Sequence, residues 1–291
     1  MLFLLLGLLP SEVIACPSRC NCTEVTVDCS SRGLVAFPSE LPSSTITLNL
    51  RGNRIGRLSI DDVKGLPHLE TLIISENIIR TIDENILDFL PLLRRVSFAR
   101  NNLRVIPSLA AQPSRLVSLD LRHNEISTID VQAFSYLPQL IQLDLAHNKL
   151  QSLPQMVFTK NTRIATLKLH RNPWHCDCRI VGLSKLAVGK SKPNEDAKCF
   201  NPPKLREVSL QKVAGKDVSC SKPSVSVDEF QKVLNCPALG GGEVHWLYNN
   251  VDLDFSSADS YQLKDNGSLV IPKEASAHGY QCTADYGVIP Q

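Results

Sequence analysis

Aromatic side chains are scarce in this 291-residue chain, at 5% of the whole. Apolar residues nevertheless reach 43%, so the core has to be built mainly from Leu, Ile and Val. Such a core suits stacked strands better than a large aromatic-lined ligand cavity. An excess of either charge is also missing: 31 Lys and Arg stand against 29 Asp and Glu, a formal net of +2. That balance argues against nucleic acid or an anionic membrane as the main partner. Past the first residues no segment is long and apolar enough to cross a bilayer, which takes about 20 residues, so the chain is expected to be released. A serine in G-x-S-x-G, a phosphate loop and an HExxH motif are all lacking. The chain therefore reads as a non-enzymatic protein without a cofactor.

What is present begins with cysteine. Ten occur, as Cys16, Cys20, Cys22 and Cys29, then Cys176, Cys178, Cys199 and Cys220, then Cys236 and Cys282. An even number in clusters fits a disulfide framework; a cytosolic chain would have little use for it except to bind metal. The opening MLFLLLGLLPSEVIA is apolar from Leu2 to Leu9, with small residues at Val13 and Ala15. Residues 1–15 are read as a signal peptide cut before Cys16, although the usual basic start is missing. The extracellular space or matrix is the expected location.

Between Ile46 and Trp174 the sequence repeats itself. The units are LNLRGNRI (48–55), LIISENII (72–79), VSFARNNL (96–103), LDLRHNEI (119–126), LDLAHNKL (143–150) and LKLHRNPW (167–174). Their asparagines, Asn53, Asn77, Asn101, Asn124, Asn148 and Asn172, are spaced by 24, 24, 23, 24 and 24 residues. This is the leucine-rich-repeat pattern L-x-x-L-x-L-x-x-N-x-L. The alternating apolar residues point inward from a short strand, and the residues between them point outward. Each asparagine amide bonds backbone groups where the chain turns. One coil cannot bury its own apolar face, so the coils must stack into a solenoid of the α/β leucine-rich-repeat type, with a curved parallel sheet and an irregular convex side. Phe134 and Phe158 occupy one equivalent position on that return side, and Leu66-Pro67, Leu90-Pro91 and Leu137-Pro138 another. The third unit is one residue short and lacks the phenylalanine, which predicts an irregularity around Pro107 to Pro113.

Stacking leaves an apolar edge at each end, and the first eight cysteines fall there. Residues 16–45 are expected to form an N-terminal cap, 46–171 the six repeats and 172–220 a C-terminal cap. Spacing alone allows three connectivities in each cluster. It also leaves open a zinc site at His175, Cys176 and Cys178, which an oxidising compartment disfavours.

After a short SKPS linker (221–224), residues 225–291 carry a second pattern. Cys236 ends an apolar strand, Trp246 follows ten residues later, and Tyr280 stands two residues before Cys282. Cys, Trp and Tyr-x-Cys in this order are the signature of an all-β immunoglobulin sandwich bridged by Cys236–Cys282. Gly279 directly precedes Tyr280, and the usual aspartate is missing. Only nine residues follow Cys282, fewer than the final turn and strand need, so the sandwich is expected to be partial and truncated.

CPSRC at the first cap, HCDC at the second and WLYNN, KDNGSLVI and YQC in the sandwich resemble the leucine-rich-repeat plus immunoglobulin family of extracellular proteins. Within it, the layout is similar to the front of the peroxidasins, matrix proteins that carry a haem peroxidase domain further on. The resemblance implies the pairs Cys16–Cys22, Cys20–Cys29, Cys176–Cys199 and Cys178–Cys220. It also leaves an alternative identity, a short form or fragment of such a secreted peroxidase without its catalytic domain.

The outward repeat positions supply the candidate binding surface. Arg100, Arg122, His123, His147, Lys168, His170 and Arg171 are expected to gather on the concave face of the later strands. Counting Arg51 and Arg95 with them, and Glu76, Asp120 and Asp144 against them, leaves that face basic. The expected partner is an extracellular protein or matrix component, an acidic glycosaminoglycan among the choices, and lowering the pH towards 6 is expected to strengthen binding by charging the histidines. Asn21-Cys22-Thr23 and Asn266-Gly267-Ser268 are glycosylation sequons. Asn266 at a turn tip is the favoured one, and Asn21 is hemmed in by bridged cysteines.

Overall fold

A computed structural model describes residues 16–154, 157–177, 180, 196–213, 224–227, 231–236, 244–249, 251–253, 261–264, 268–272 and 274–284. The expected signal peptide, the Cys178–Cys220 pair and Asn266 lie outside them.

The repeats build one eight-stranded front sheet. It opens with an antiparallel pair, Asn21–Cys22 and Thr26–Asp28. Thr47–Asn49, Thr71–Ile73, Arg95–Ser97, Ser118–Asp120, Gln142–Asp144 and Thr166–Lys168 then add in parallel. The middle residues Val27, Leu48, Leu72, Val96, Leu119, Leu143 and Leu167 are register partners in turn, and all are buried. Alternation explains the face they share: two residues on, Leu50, Ile74, Phe98, Leu121, Leu145 and Leu169 start the turn and point back into the same core. On the return side the rings of Phe134 and Phe158 stack with centroids 5.6 Å apart.

The convex side is irregular. Its short helix Ile60–Val63 and the 3-10 turn Ile86–Phe89 belong to the first two coils. The third coil has no regular element between Ile106 and Ser118. There the carboxylate of Asp88 accepts the backbone N–H groups of Ala111 and Gln112, each at 3.2 Å, and Leu109 and Ala110 are tucked into the core.

Past each asparagine turn the chain makes a second, shorter ladder along one flank. Arg57–Leu58 pairs with Thr81–Ile82, and Val105–Ile106 pairs with Thr128–Ile129. Among the described residues no ladder joins the first pair to the second. Proline explains the gap. The N–H of Asp83 donates to Leu58 O and that of Asp130 to Ile106 O, both closing a ladder. The equivalent residues of the third and fifth coils are Pro107 and Pro154, which have no N–H to give to Ile82 O or Ile129 O.

Disulfides seal the ends. Cys16 is bonded to Cys22 and Cys20 to Cys29 at the start. At the other end Trp174–His175 pairs with Cys199–Asn201, and Cys176 is bonded to Cys199. That bond occupies the Cys176 sulfur, one of the three atoms of the zinc alternative, while Cys178 lies outside the described residues. Trp174 is wholly buried and its indole N–H donates to Leu169 O at 2.9 Å, closing the core.

Further along lie two antiparallel sheets. One holds Ser224–Val227, Gln231–Asn235, Leu269–Pro272 and Gln262–Leu263; the other holds Val251–Asp252, Val244–Tyr248 and Tyr280–Ala284. Leu234, Trp246, Leu269, Ile271 and Cys282 form a small separate core, with Cys236 bonded to Cys282. Gly279 has φ +93°, and a Cβ there would meet Asn249 Oδ1 at 2.5 Å. The position before Tyr280 therefore takes glycine for both backbone and space.

Candidate recognition surface

The repeat asparagines define the geometry of the front face from behind. Asn77 Oδ1 accepts the N–H of Ile55 in the preceding coil, while its Nδ2 donates to Leu50 O of that coil and Ile74 O of its own. Asn101, Asn124, Asn148 and Asn172 repeat this pattern coil by coil. Each amide therefore satisfies groups that burial would otherwise leave without partners, and none of the six is available to a ligand.

The residue before each asparagine is left-handed. Glu76, Arg100, His123, His147 and Arg171 have φ between 54° and 57°, and only the first coil uses glycine, Gly52. That conformation swings the side chain out at the end of the strand. His123 and His147 are thus placed beyond their strands rather than within them, which corrects the expected strand position. His170 comes one residue earlier in its unit, two residues past the end of Thr166–Lys168.

The three imidazoles are brought together. His123 and His147 stack with ring centroids 4.0 Å apart, and His170 meets His147 edge-on at 5.4 Å. Burial, then the charges of His123, His170, Arg171 and Arg100, push His147 down to about 4. Burial followed by Arg100 and Arg122 lowers His123. His147 is therefore neutral at pH 6 in the free chain.

Most of the basic side chains expected to form a free patch are paired. Arg51 grips Glu76 with two bonds, at 2.9 and 3.1 Å, and Arg100 approaches the same carboxylate at 4.0 Å. Arg122 lies 3.4 Å from Asp120 and Lys168 lies 3.9 Å from Asp144. Asp120 is raised above the ordinary carboxylate value, by burial first, with Asp144 adding to the effect. Among the described residues, Arg95 and Arg171 stand on this face without an ion pair within 4.0 Å. The face is a set of ion pairs, three across neighbouring coils and Arg122–Asp120 within one, with two spare cations. Sequence counting gave the charges but not their contacts, which depend on which side chains meet across neighbouring coils.

Asn21 is exposed, on the outer edge of the first strand pair, and Thr23 beside it is exposed as well. The bridged cysteines do not enclose it.

Comparison with known proteins agrees with this architecture. The family described as Leucine rich repeat matches residues 44–103 and 114–173, and Leucine rich repeat N-terminal domain matches residues 15–42. A peroxidasin homolog of Caenorhabditis briggsae is 38% identical over 281 residues, covering 94% of this chain and 22% of that protein. Biglycan of Canis lupus familiaris is 34% identical over 131 residues, 45% of this chain and 35% of biglycan. Among solved structures, a chain of an octameric complex of Latrophilin 3, Unc5D and FLRT2 aligns with TM-score 0.52 and 28% identity, covering 61% of this chain and 56% of that one. The chain spans about a fifth of the length of the peroxidasin homologs it matches.

Proposed function

Because this chain belongs to the leucine-rich-repeat family, with its front-to-back order like the start of the peroxidasins, we propose that it is an extracellular recognition protein that binds a protein or matrix partner on its concave face. The observation that carries this reading is the front sheet itself. Eight strands in continuous register hold their outward side chains on a backbone already ordered, so binding there costs little conformational entropy. The cross-coil ion pairs favour a partner that presents both charges over a uniformly acidic chain, and the spare Arg95 and Arg171 set a basic margin. Residues 225–291 are read as an immunoglobulin-type module acting as a second contact or a spacer. Residues 1–15 direct secretion in this reading, and Asn21 and Asn266 are proposed as glycan acceptors.

Reversal of Arg122→Glu and Arg171→Glu tests the face. Retention of the purified chain on cell-laid extracellular matrix should fall by about tenfold, with the melting temperature unchanged. Equal retention by both proteins would remove the concave face from recognition. A second reading, favoured by the 38% identity spread over 94% of the chain, makes this the non-catalytic front of a secreted haem peroxidase. The sequence following Gln291 in the transcript decides it: several hundred residues with a haem-binding histidine support it.

A further inference from the structure

Further unpaired positive charge stands on the flank of the solenoid. Arg54, Arg57, Arg80 and Arg104 follow the first three asparagine turns and are all exposed. Among the described residues Arg54, Arg57 and Arg80 have no ion pair within 4.0 Å. Arg104 meets Glu125 at 3.3 Å, and Glu125 is shared with Lys149 at 3.5 Å. Over this strip, residues 54–57, 78–81 and 102–105 hold four arginines and no carboxylate.

The strip borders a cleft of about 660 Å³ whose lining includes Arg80, Ile82, Arg104, Val105 and Pro107, together with Glu125, the carboxylate already held by Arg104 and Lys149. It lies at the break in the flank ladder, where Thr81–Ile82 and Val105–Ile106 each keep a strand edge that no neighbouring strand pairs among the described residues. Apolar side chains are interleaved with the cations: Val105 is 52% exposed and Ile78 49%. Arg57 is the register partner of Thr81, so it adjoins the same cleft.

From this we propose that the flank cleft between the Asn77 and Asn101 coils binds an extended acidic peptide segment with interspersed apolar residues, separately from the concave face. Guanidinium groups on successive coils suit carboxylates in a row. The exposed Val105 and Ile78 offer contacts that a purely polar sulfated glycan would not use. The spare cations and the apolar side chains thus fit one occupant.

The whole chain is titrated with a fluorescent synthetic dodecapeptide of glutamate, aspartate and leucine, and in parallel applied to a heparin column. Wild type should bind the peptide, and the double reversal Arg57→Glu with Arg80→Glu should weaken it by at least about tenfold. Arg122→Glu with Arg171→Glu on the concave face should leave peptide affinity within about twofold. Val105→Gln should weaken the peptide without shifting heparin elution. All these positions are exposed, and unchanged melting curves certify folding. Peptide affinity unmoved by the flank reversal, or lost on the concave reversal, overturns the proposal. So does retention on heparin with no peptide binding, which would assign the strip to a sulfated glycan.

Discussion

The residue before each repeat asparagine shows how one backbone requirement organises chemistry. A left-handed L residue costs about 1–2 kcal/mol, yet Glu76, Arg100, His123, His147 and Arg171 all adopt it, because the amide ladder behind them imposes the turn. The stack of His123 and His147 follows from that shared φ. An unfolded imidazole titrates near 6.5, whereas His147 in the folded chain is held down to about 4. Between those values the unfolded chain takes up the proton more readily, so stability falls as the pH drops from about 6.5 to about 4. Asp120 acts in the opposite sense: its raised value means that the folded chain holds the proton longer, so its contribution recovers as pH falls. Asparagine tolerates the left-handed turn, so His147→Asn should change stability at pH 7.5 by less than about 0.5 kcal/mol. Its melting temperature should then decline less steeply than wild type between pH 6.5 and 4.5. An identical slope would show that the imidazole stack does not govern acid sensitivity. The histidines were visible in the aligned units, but their ring contacts were not, since a period of 24 residues locates a Cα and leaves χ angles open.

At the scale of the element, the flank ladder depends on a single position per coil. Ser59, Asp83, Pro107, Asp130 and Pro154 are equivalent, and the ladder stops at the prolines. Pro107→Ser supplies an N–H where the first coil already carries serine. It should extend the ladder across the gap, seen as slowed amide exchange at residues 104–107 and a smaller cleft. Unchanged exchange there would mean that coil spacing, rather than the missing donor, keeps the strands apart. The sequence showed both prolines, 47 residues apart, and the irregularity near Pro107 was legible as a shortened unit. The basic strip was missed for a different reason. Its arginines lie past each asparagine turn and not at outward strand positions, although Arg80 and Arg104 stand one repeat of 24 residues apart.

For the whole molecule, a repeat array is stabilised by each coil's neighbours, so its ends decide where opening begins. The first cap is tied in chemically as well as by packing. Asn53 accepts the N–H groups of Arg32 and Leu34, each at 3.0 Å, and donates to Cys29 O at 2.9 Å. Replacing Cys20 and Cys29 together with serine should cost about 2–5 kcal/mol, and amide exchange should rise first in the Asn53 coil. Uniform exchange along all six coils would instead mean that the solenoid opens as one unit. The repeats and the N-terminal cap were legible because both follow from periodic apolar residues and clustered cysteines. Pairing between surface charges was not, because it depends on which side chains meet across coils.

The two proline interruptions also govern stiffness. The front sheet and its asparagine rungs run unbroken past the Asn77 and Asn101 coils, while on the flank Thr81–Ile82 and Val105–Ile106 stay unpaired between two isolated fastenings, Asn102 N–H to Ile79 O and Asn85 N–H to Ser108 O, each at 2.9 Å. A beam fastened continuously along one edge and only at intervals along the other bends most easily between the fastenings. Changes in curvature should therefore concentrate at that coil boundary, and again at Pro154, letting the arc open or close around a partner of different width without breaking a rung.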